Sequence, residues 1–294
     1  PVSLKLDKSA DVATVADVKV ALAANFPRLY VERQRLSLKG EASALDDDTI
    51  LATAGLREDG ELVIKDLGSQ VGWRTVFLTE YAGPLIIHPI VFHLPNLFYG
   101  GSVQHSQLQK YVYAMVIVHF VKRELESLFV HRFSHATMPL RNIFTNSFHY
   151  HILSGLFLAY PIYGPTYAAN SPHIRGTVRS NPQYLWICAG VWLFAELSNL
   201  STHVTLRNLR PPGSKKRAIP YGYGFGLISC PNYFFESVAW AAVAYISGSW
   251  AAWLFWAVST SIMMSWAAKK HRIYKKEFGS EYPRQRRAMI PFLF

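Results

Sequence analysis

Between Ala218 and Ala268 the chain runs 51 residues with a single Lys, Arg, Asp or Glu, the carboxylate of Glu236. About 20 apolar residues cross a hydrocarbon core as a helix, so this stretch is long enough for two crossings. A carboxylate in such a stretch is costly unless it faces protein or a water-filled cavity. Glu236, which closes the segment CPNYFFE, therefore marks a candidate site. Upstream, NLSTHVTLRNLRPPGSKK, from Asn199 to Lys216, places polar groups at helical spacing and ends in a basic cluster. Together the two segments point to chemistry at a membrane surface.

Charge divides the chain into two materials. Residues 1–66 carry 9 Lys and Arg against 12 Asp and Glu, a balance of −3; the remaining 228 carry 21 against 7, a balance of +14. The first part reads as a small soluble domain and the second as membrane protein. A nucleic-acid ligand is not expected, because the basic residues sit in short clusters between apolar spans rather than over a soluble face with stacking aromatics. The positive-inside rule accounts for them better. Cys188 and Cys230 lie in apolar surroundings, which reads as two buried, inert thiols rather than a disulfide framework or a thiolate cage. The first residues lack the basic-then-apolar pattern of a cleaved leader, so the N-terminal domain is expected in the cytosol.

Residues 1–68 are expected to form one domain and 69–294 the membrane part. In the first, Val2, Leu4 and Leu6 alternate, a helix-like VADVKVALAANF follows, and RQRLSLKG and ELVIKDL read as strands around the acid-rich turn ALDDDTILATAGL. This order resembles the ubiquitin-like β-grasp, an α+β fold. The chain continues through DLGSQVGWR with no free di-glycine tail, so docking or packing is expected rather than conjugation.

The second part reads as a multi-pass α-helical bundle of about six or seven transmembrane helices. Tyr81 to Gln109 is free of Lys, Arg, Asp and Glu, with Pro84, Pro89 and Pro95 expected to kink or split it. Residues 111–121 are a shorter apolar stretch. Asn142 to Ile174 carries no formal charge, and Pro161 and Gly164 are expected to close a helix there. Asn181 to Leu206 is interrupted only by Glu196. YGYGFG at 221–226 reads as a loop, and two spans follow, separated by SGS.

Four clusters carry candidate chemistry. On one helical face, Asn199, His203, Arg207 and Arg210 follow at steps of four, four and three, and guanidinium forks match phosphate oxygens. A positive-inside flank without a ligand would leave the same composition. In HFVKRELESLFVHRFSH, Lys122 and Glu126 form an i,i+4 pair, while His131 and His135 form H-x-x-x-H. A di-iron centre needs more nitrogen ligands than this pair with the unrelated His149 and His151 supplies, so no metal is expected. In CPNYFFE, Pro231 can open a helix, putting Asn232 and Glu236 one turn apart with Tyr233 beside them. In the tail, His271, Tyr274 and Lys275 share a helical face before FGSEYP ends it.

The segments FLTEYAGPL, KRELESLFVHRFSHATMPLRNIF, LRNLRPPGSK, CPNYFFE and the tail from His271 to Phe292, with the ubiquitin-like leader, resemble the steroid 5-alpha-reductase superfamily. Within it they are similar to the very-long-chain trans-2-enoyl-CoA reductases, which carry such a leader. The resemblance implies NADPH-dependent reduction of a long enoyl-CoA in the last step of each elongation cycle, at the endoplasmic reticulum membrane. It also implies a cytosol-facing site, contact with membrane lipid and other elongation enzymes as partners. It implies Tyr233 as the acid and Glu80 as its partner. Arg123, His131, Arg132, Asn199, His203, Arg207, Arg210, Asn232, Glu236, His271 and Tyr274 are implied to line the dinucleotide site. No G-x-G-x-x-G follows a strand, so the cofactor is expected between helices rather than in a Rossmann domain. His203 stands where the steroid enzymes commonly carry an acid. The alternatives are a sterol-enone reductase, an isoprenylcysteine-type methyltransferase using S-adenosylmethionine, and a non-catalytic membrane adaptor.

Overall fold

The computed structural model describes residues 2–41, 43–56, 60–132, 137–211 and 217–294. His135, Lys215 and Lys216, singled out above, lie outside them. The described residues form two compact units, the first drawn from 1–76 and 135–144, the second from 77–134 and 145–294.

In the first unit, helix α1 (Val15–Asn25) opens on a capping box. The Thr14 hydroxyl accepts from the Asp17 amide, and the Asp17 carboxylate accepts from the Thr14 amide at 2.9 Å, satisfying two donors that a helix start leaves unpaired. Val15, Val18 and Leu22 turn one α1 face onto Leu36, Leu51 and Leu56, each large side chain contributing about 2 kcal/mol by leaving water. Strands β1 (Gln34–Leu38) and β2 (Leu62–Asp66) pair antiparallel, Leu36 opposite Ile64. Gln34 is buried and donates to the carbonyls of Lys19 and Leu29, tying the sheet to the helix. The helix and these strands fall where the sequence puts them. Leu4 and Leu6 pack on the same core but lie outside any strand; alternation here serves burial without a ladder. A second sheet pairs β3 (Gln70–Gly72) with β4 (Thr137–Pro139).

The second unit is helical. Helix α2 (Trp73–His93) begins in the first unit and runs through Pro84 and Pro89 without a break. The His151 ring N–H donates to the Thr79 carbonyl of this helix at 2.8 Å, and α2 ends at His93, just before Pro95. After α3 (Pro95–Tyr99), helix α4 (Gln107–Phe129) starts on a Ser106/Gln109 capping box. The Gln109 amide also donates to the carbonyls of Ile162 and Gly164. Next come α5 (Asn142–Ser147), a π-helix over Phe148–Leu156 and α6 (Phe157–Tyr163), one continuous helical run that Gly164 ends. Helix α7 (Pro182–Asn208) has Asn181 as its N-cap. Helix α8 (Pro231–Ser247) starts with proline at its first position and ends on Gly248 at φ +62°, and α9 is Trp250–Phe278.

Helices α7, α8 and α4 pack on one another, and α9 packs on α8. Their shared core includes Tyr81, Phe120, Leu158, Tyr163, Leu185 and Ile246. Buried His88 is satisfied within it, its Nδ1 accepting from the Tyr163 hydroxyl at 2.7 Å and its Nε2 donating to the Ser154 carbonyl at 2.8 Å. Helices α2 and α9 are long and apolar enough to cross a membrane. Helix α7 turns Trp186, Ile187, Phe194 and Leu197 outward, each more than half exposed, and keeps Glu196, Asn199 and His203 inside.

Candidate active site

The polar interior is assembled from three helix faces. His119, Lys122, Arg123 and Glu126 recur at three- and four-residue steps on α4, Glu196, Asn199 and His203 on α7, and Asn232 and Glu236 on α8. Such spacings share a face, so three apolar helices each contribute one charged stripe to a common interior.

The side chains interlock. Glu196 sits 2.7 Å from His119 Nδ1 and 2.7 Å from Lys122 Nζ. Glu126 lies 2.7 Å from Arg123, 3.0 Å from His203 Nδ1 and 3.7 Å from Lys122. The i,i+4 pair expected between Lys122 and Glu126 is thus present but secondary, because Lys122 reaches across to α7. The Asn199 amide group is the hub: its Nδ2 donates to the Asn232 carbonyl at 2.8 Å and to Glu236 at 3.0 Å, and its Oδ1 accepts from Lys122. Glu236 also faces His119 Nε2 at 3.4 Å and Arg123 Nε at 4.0 Å. Buried ions carry a desolvation cost of several kcal/mol each that only such close, multiple pairing offsets.

Glu126, His131 and His203 bring three potential ligand atoms within 4.8 Å of one another. Two fixed cations and an imidazole already surround the Glu126 carboxylate, so the local charge opposes a divalent ion. His131 stacks edge-on against His203, with ring centroids 5.0 Å apart.

A second cluster adjoins the first through Arg123. Its Nη2 donates to the Tyr81 hydroxyl at 2.8 Å, and its guanidinium lies 5.1 Å from the Tyr81 ring centre. Glu80, next on α2, is buried at 2% exposure, and its Oε1 has no hydrogen-bond partner among the described residues. Asn146 lies beside this carboxyl group. Tyr150, from the π-helix, meets Tyr81 edge-on at 5.1 Å.

Tyr233 belongs to a third neighbourhood. It packs with Cys230, Met263, Ala267 and Met289, and Lys270 Nζ stands 4.8 Å from its ring centre. The tail returns here: Ser229 N donates to the Arg287 carbonyl and Cys230 N to that of Ala288. Ser229 Oγ joins His271 Nδ1 at 2.6 Å and the Tyr282 hydroxyl at 2.5 Å, and Tyr274 stacks on Tyr282 at 5.6 Å. At the end of α7, Arg132 donates to the carbonyls of Arg207 and Arg210, and Arg210 donates back to the Arg132 carbonyl. Arg207 is exposed.

The structure therefore unites Arg123, Asn199, His203, Asn232 and Glu236 in one network, with His131 against it. It joins Arg132 to Arg207 and Arg210 at one helix end, and places Tyr233, His271 and Tyr274 near the returning tail. Glu80 and Tyr233 sit in different neighbourhoods. Sequence reasoning passed over Tyr150 and gave no site role to Glu196, His119 and Lys122. Glu196 carried a readable signal, being the lone charge in its apolar span, the same signal that singled out Glu236.

Residues 136–294 match the family described as 3-oxo-5-alpha-steroid 4-dehydrogenase, and residues 4–66 match the TECR ubiquitin-like domain. A Schizosaccharomyces pombe protein provisionally named an enoyl reductase is 51% identical over 265 residues, which are 90% of this chain and 86% of that protein. The very-long-chain enoyl-CoA reductase of Dictyostelium discoideum is 38% identical over 290 residues, 95% of this chain and 92% of that one. A trans-2,3-enoyl-CoA reductase-like protein of Mus musculus is 29% identical over 299 residues, 98% of this chain and 80% of that one.

Proposed function

The chain belongs to the 3-oxo-5-alpha-steroid 4-dehydrogenase family, and from that premise we propose that it reduces the trans-2 double bond of a very-long-chain enoyl-CoA with NADPH. The reaction completes a cycle of fatty acid elongation at the endoplasmic reticulum membrane. One observation carries the reading: Arg123, Asn199, His203 and Glu236 converge from three helices inside an apolar helical unit. Its relatives across nearly the whole chain are named enoyl-CoA reductases.

A family of steroid dehydrogenases and enoyl reductases implies a nicotinamide cofactor. When bound, the reduced nicotinamide supplies a hydride to the β-carbon of the substrate. The donor set fits such a group. Exposed Arg207 offers a guanidinium fork to phosphate oxygens, with Arg210 and Arg132 beside it. Asn232, Asn199 and Glu236 give an amide and carboxylate surface held by His119, Lys122 and Arg123, and the reading adds His131, His203, His271 and Tyr274 to the cofactor's walls. Tyr233 serves as the acid. A phenol stays protonated at neutral pH, and Lys270 beside the ring stabilises the phenolate left after the proton goes to the α-carbon. Glu80, with its unpaired oxygen, adds a carboxyl group on the α2 side of the polar interior.

Helices α2 and α9 and the outward aromatics of α7 support a multi-pass chain in lipid. The basic residues between spans support placing the site and the ubiquitin-like domain in the cytosol. We assign residues 1–68 to docking of partner enzymes and 69–294 to catalysis.

Purified full-length chain is expected to oxidise NADPH only when a long trans-2-enoyl-CoA is present, and not with a sterol enone. Tyr233→Phe is expected to keep NADPH affinity while turnover falls about 100-fold. NADPH oxidation that ignores the enoyl-CoA rejects the function, and a wild-type rate in Tyr233→Phe rejects the acid.

A further inference from the structure

Residues 142–163 pass from α-helix to a nine-residue π-helix and back without a break. A π-segment is costly, and such segments collect at functional sites. This one is held in place by α2. His151 lies where α2 has Gly83; a Cβ at residue 83 would come within 1.9 Å of His151 Cδ2, and the His151 ring donates to the Thr79 carbonyl. One turn on, Gly155 gives Ile87 the room that a Cβ would take, 2.9 Å from Ile87 Cδ1. Small residues on both helices thus bring the π-segment against α2 at Glu80 and Tyr81.

The side chain fixed by this contact is Tyr150. Its ring stands edge-on to Tyr81 at 86° and faces Phe120 at 6.4 Å. Tyr81, Glu80, Arg123 and Glu236 are its charged and polar neighbours. Tyr81 is 1% exposed and its oxygen already accepts from Arg123, whereas Tyr150 is only half-buried. Tyr150 is therefore not sealed as Tyr81 is, and it lies close to the Arg123 guanidinium and the unpaired Glu80 oxygen. Tyr233, with Lys270 4.8 Å from its ring centre, is left for the proton transfer.

We propose that Tyr150 is a second catalytic tyrosine, whose hydroxyl donates a hydrogen bond to the thioester oxygen of the enoyl substrate. This rests on the enoyl-CoA reading above. Hydride arriving at the β-carbon drives the double-bond electron pair toward the α-carbon and the thioester oxygen. The oxygen gains negative charge, and a fixed donor in a dry site favours that charged state more than the ground state. Arg123, through Tyr81, adds positive potential at the same point. Tyr233 then has only the α-carbon to protonate.

The test compares wild type with Tyr150→Phe, which keeps the ring packed on Tyr81 and removes only the hydroxyl. Steady-state turnover with NADPH and a long trans-2-enoyl-CoA is expected to fall about 100-fold, with NADPH affinity unchanged. Binding of a thioether analogue, which lacks the carbonyl oxygen, is expected to match wild type. Turnover at the wild-type rate, or equal weakening of the thioether and the thioester, overturns the assignment, the latter by showing a packing role. Wild-type chain that fails to turn over enoyl-CoA removes the parent reading and this one with it; active wild type with an equally active Tyr150→Phe removes this one alone.

Discussion

Asn199→Asp is the sharpest perturbation of the buried network, because it changes one donor atom and almost no volume. In the native chain Asn199 Nδ2 donates to Glu236 at 3.0 Å; the substitution sets a carboxylate oxygen there instead. Two unit charges at that separation repel by about 5 kcal/mol at an effective dielectric of about 20. Lys122, which already donates to the Asn199 oxygen, gains a charged acceptor and offsets part of this. Since Lys122 is also shared with Glu196 at 2.7 Å, a net destabilisation of about 2–4 kcal/mol remains. For a unit of this size that lowers the melting temperature by roughly 5–15 °C, read by tryptophan fluorescence on purified protein in detergent. Adding Glu236→Gln restores one donor and one acceptor across the contact, so the double variant is expected to melt well above Asn199→Asp alone. A melting temperature for Asn199→Asp within a degree of wild type, or a double variant no better than the single one, refutes the network as described.

At the helix contact, Gly83→Ala puts a methyl group into the His151 ring; a loss of about 1–3 kcal/mol is expected from overpacking, seen as a lower melting temperature, while Gly190→Ala, which meets open space, is expected to leave it unchanged. In the ubiquitin-like domain, Lys8 and the Thr14 amide hold the Asp17 carboxylate down at about 2. Because the folded value is depressed, the stabilisation is complete above the ordinary carboxylate range near 4 and is lost as pH falls through 2; hydrogen exchange of the α1 amides is expected to accelerate over that window and to lose much of its pH dependence in Lys8→Ala. Thr14→Ala removes the other half of the capping box and is expected to cost about 1 kcal/mol, a roughly fivefold faster exchange at Val18 and Leu22.

Much of the interior is legible in the sequence because an apolar span makes each charge conspicuous. Glu236 and Glu196 are each the lone formal charge in their spans, and both turn inward. The step of four from Asn199 to His203 correctly predicts a shared buried face, but periodicity does not say where burial stops, and Arg207, the next step, is exposed. The helix and strand pair of the N-terminal domain follow from their apolar periods. Long-range pairing is another matter: Gln70 lies opposite Pro139, and three-residue strands carry no pattern strong enough to announce it. The π-helix is equally hidden, since an i→i+5 turn has no residue preference of its own and depends on Gly83 and Gly155 meeting partners far along the chain. Tyr150 escapes notice for that reason. Of the three prolines expected to kink or split the first span, Pro95 opens a separate helix after α2 ends at His93, while α2 continues through Pro84 and Pro89.

The central claim is that the polar interior of the helical unit holds a reduced nicotinamide against the double bond of an enoyl thioester. Its most direct test is label transfer: the full chain is incubated with NADPH carrying deuterium at the transferable position and a long trans-2-enoyl-CoA, and the product is read by mass spectrometry. A saturated acyl-CoA with one deuterium, at the β-carbon, is the predicted result. Product with no deuterium, or with deuterium at the α-carbon, contradicts it.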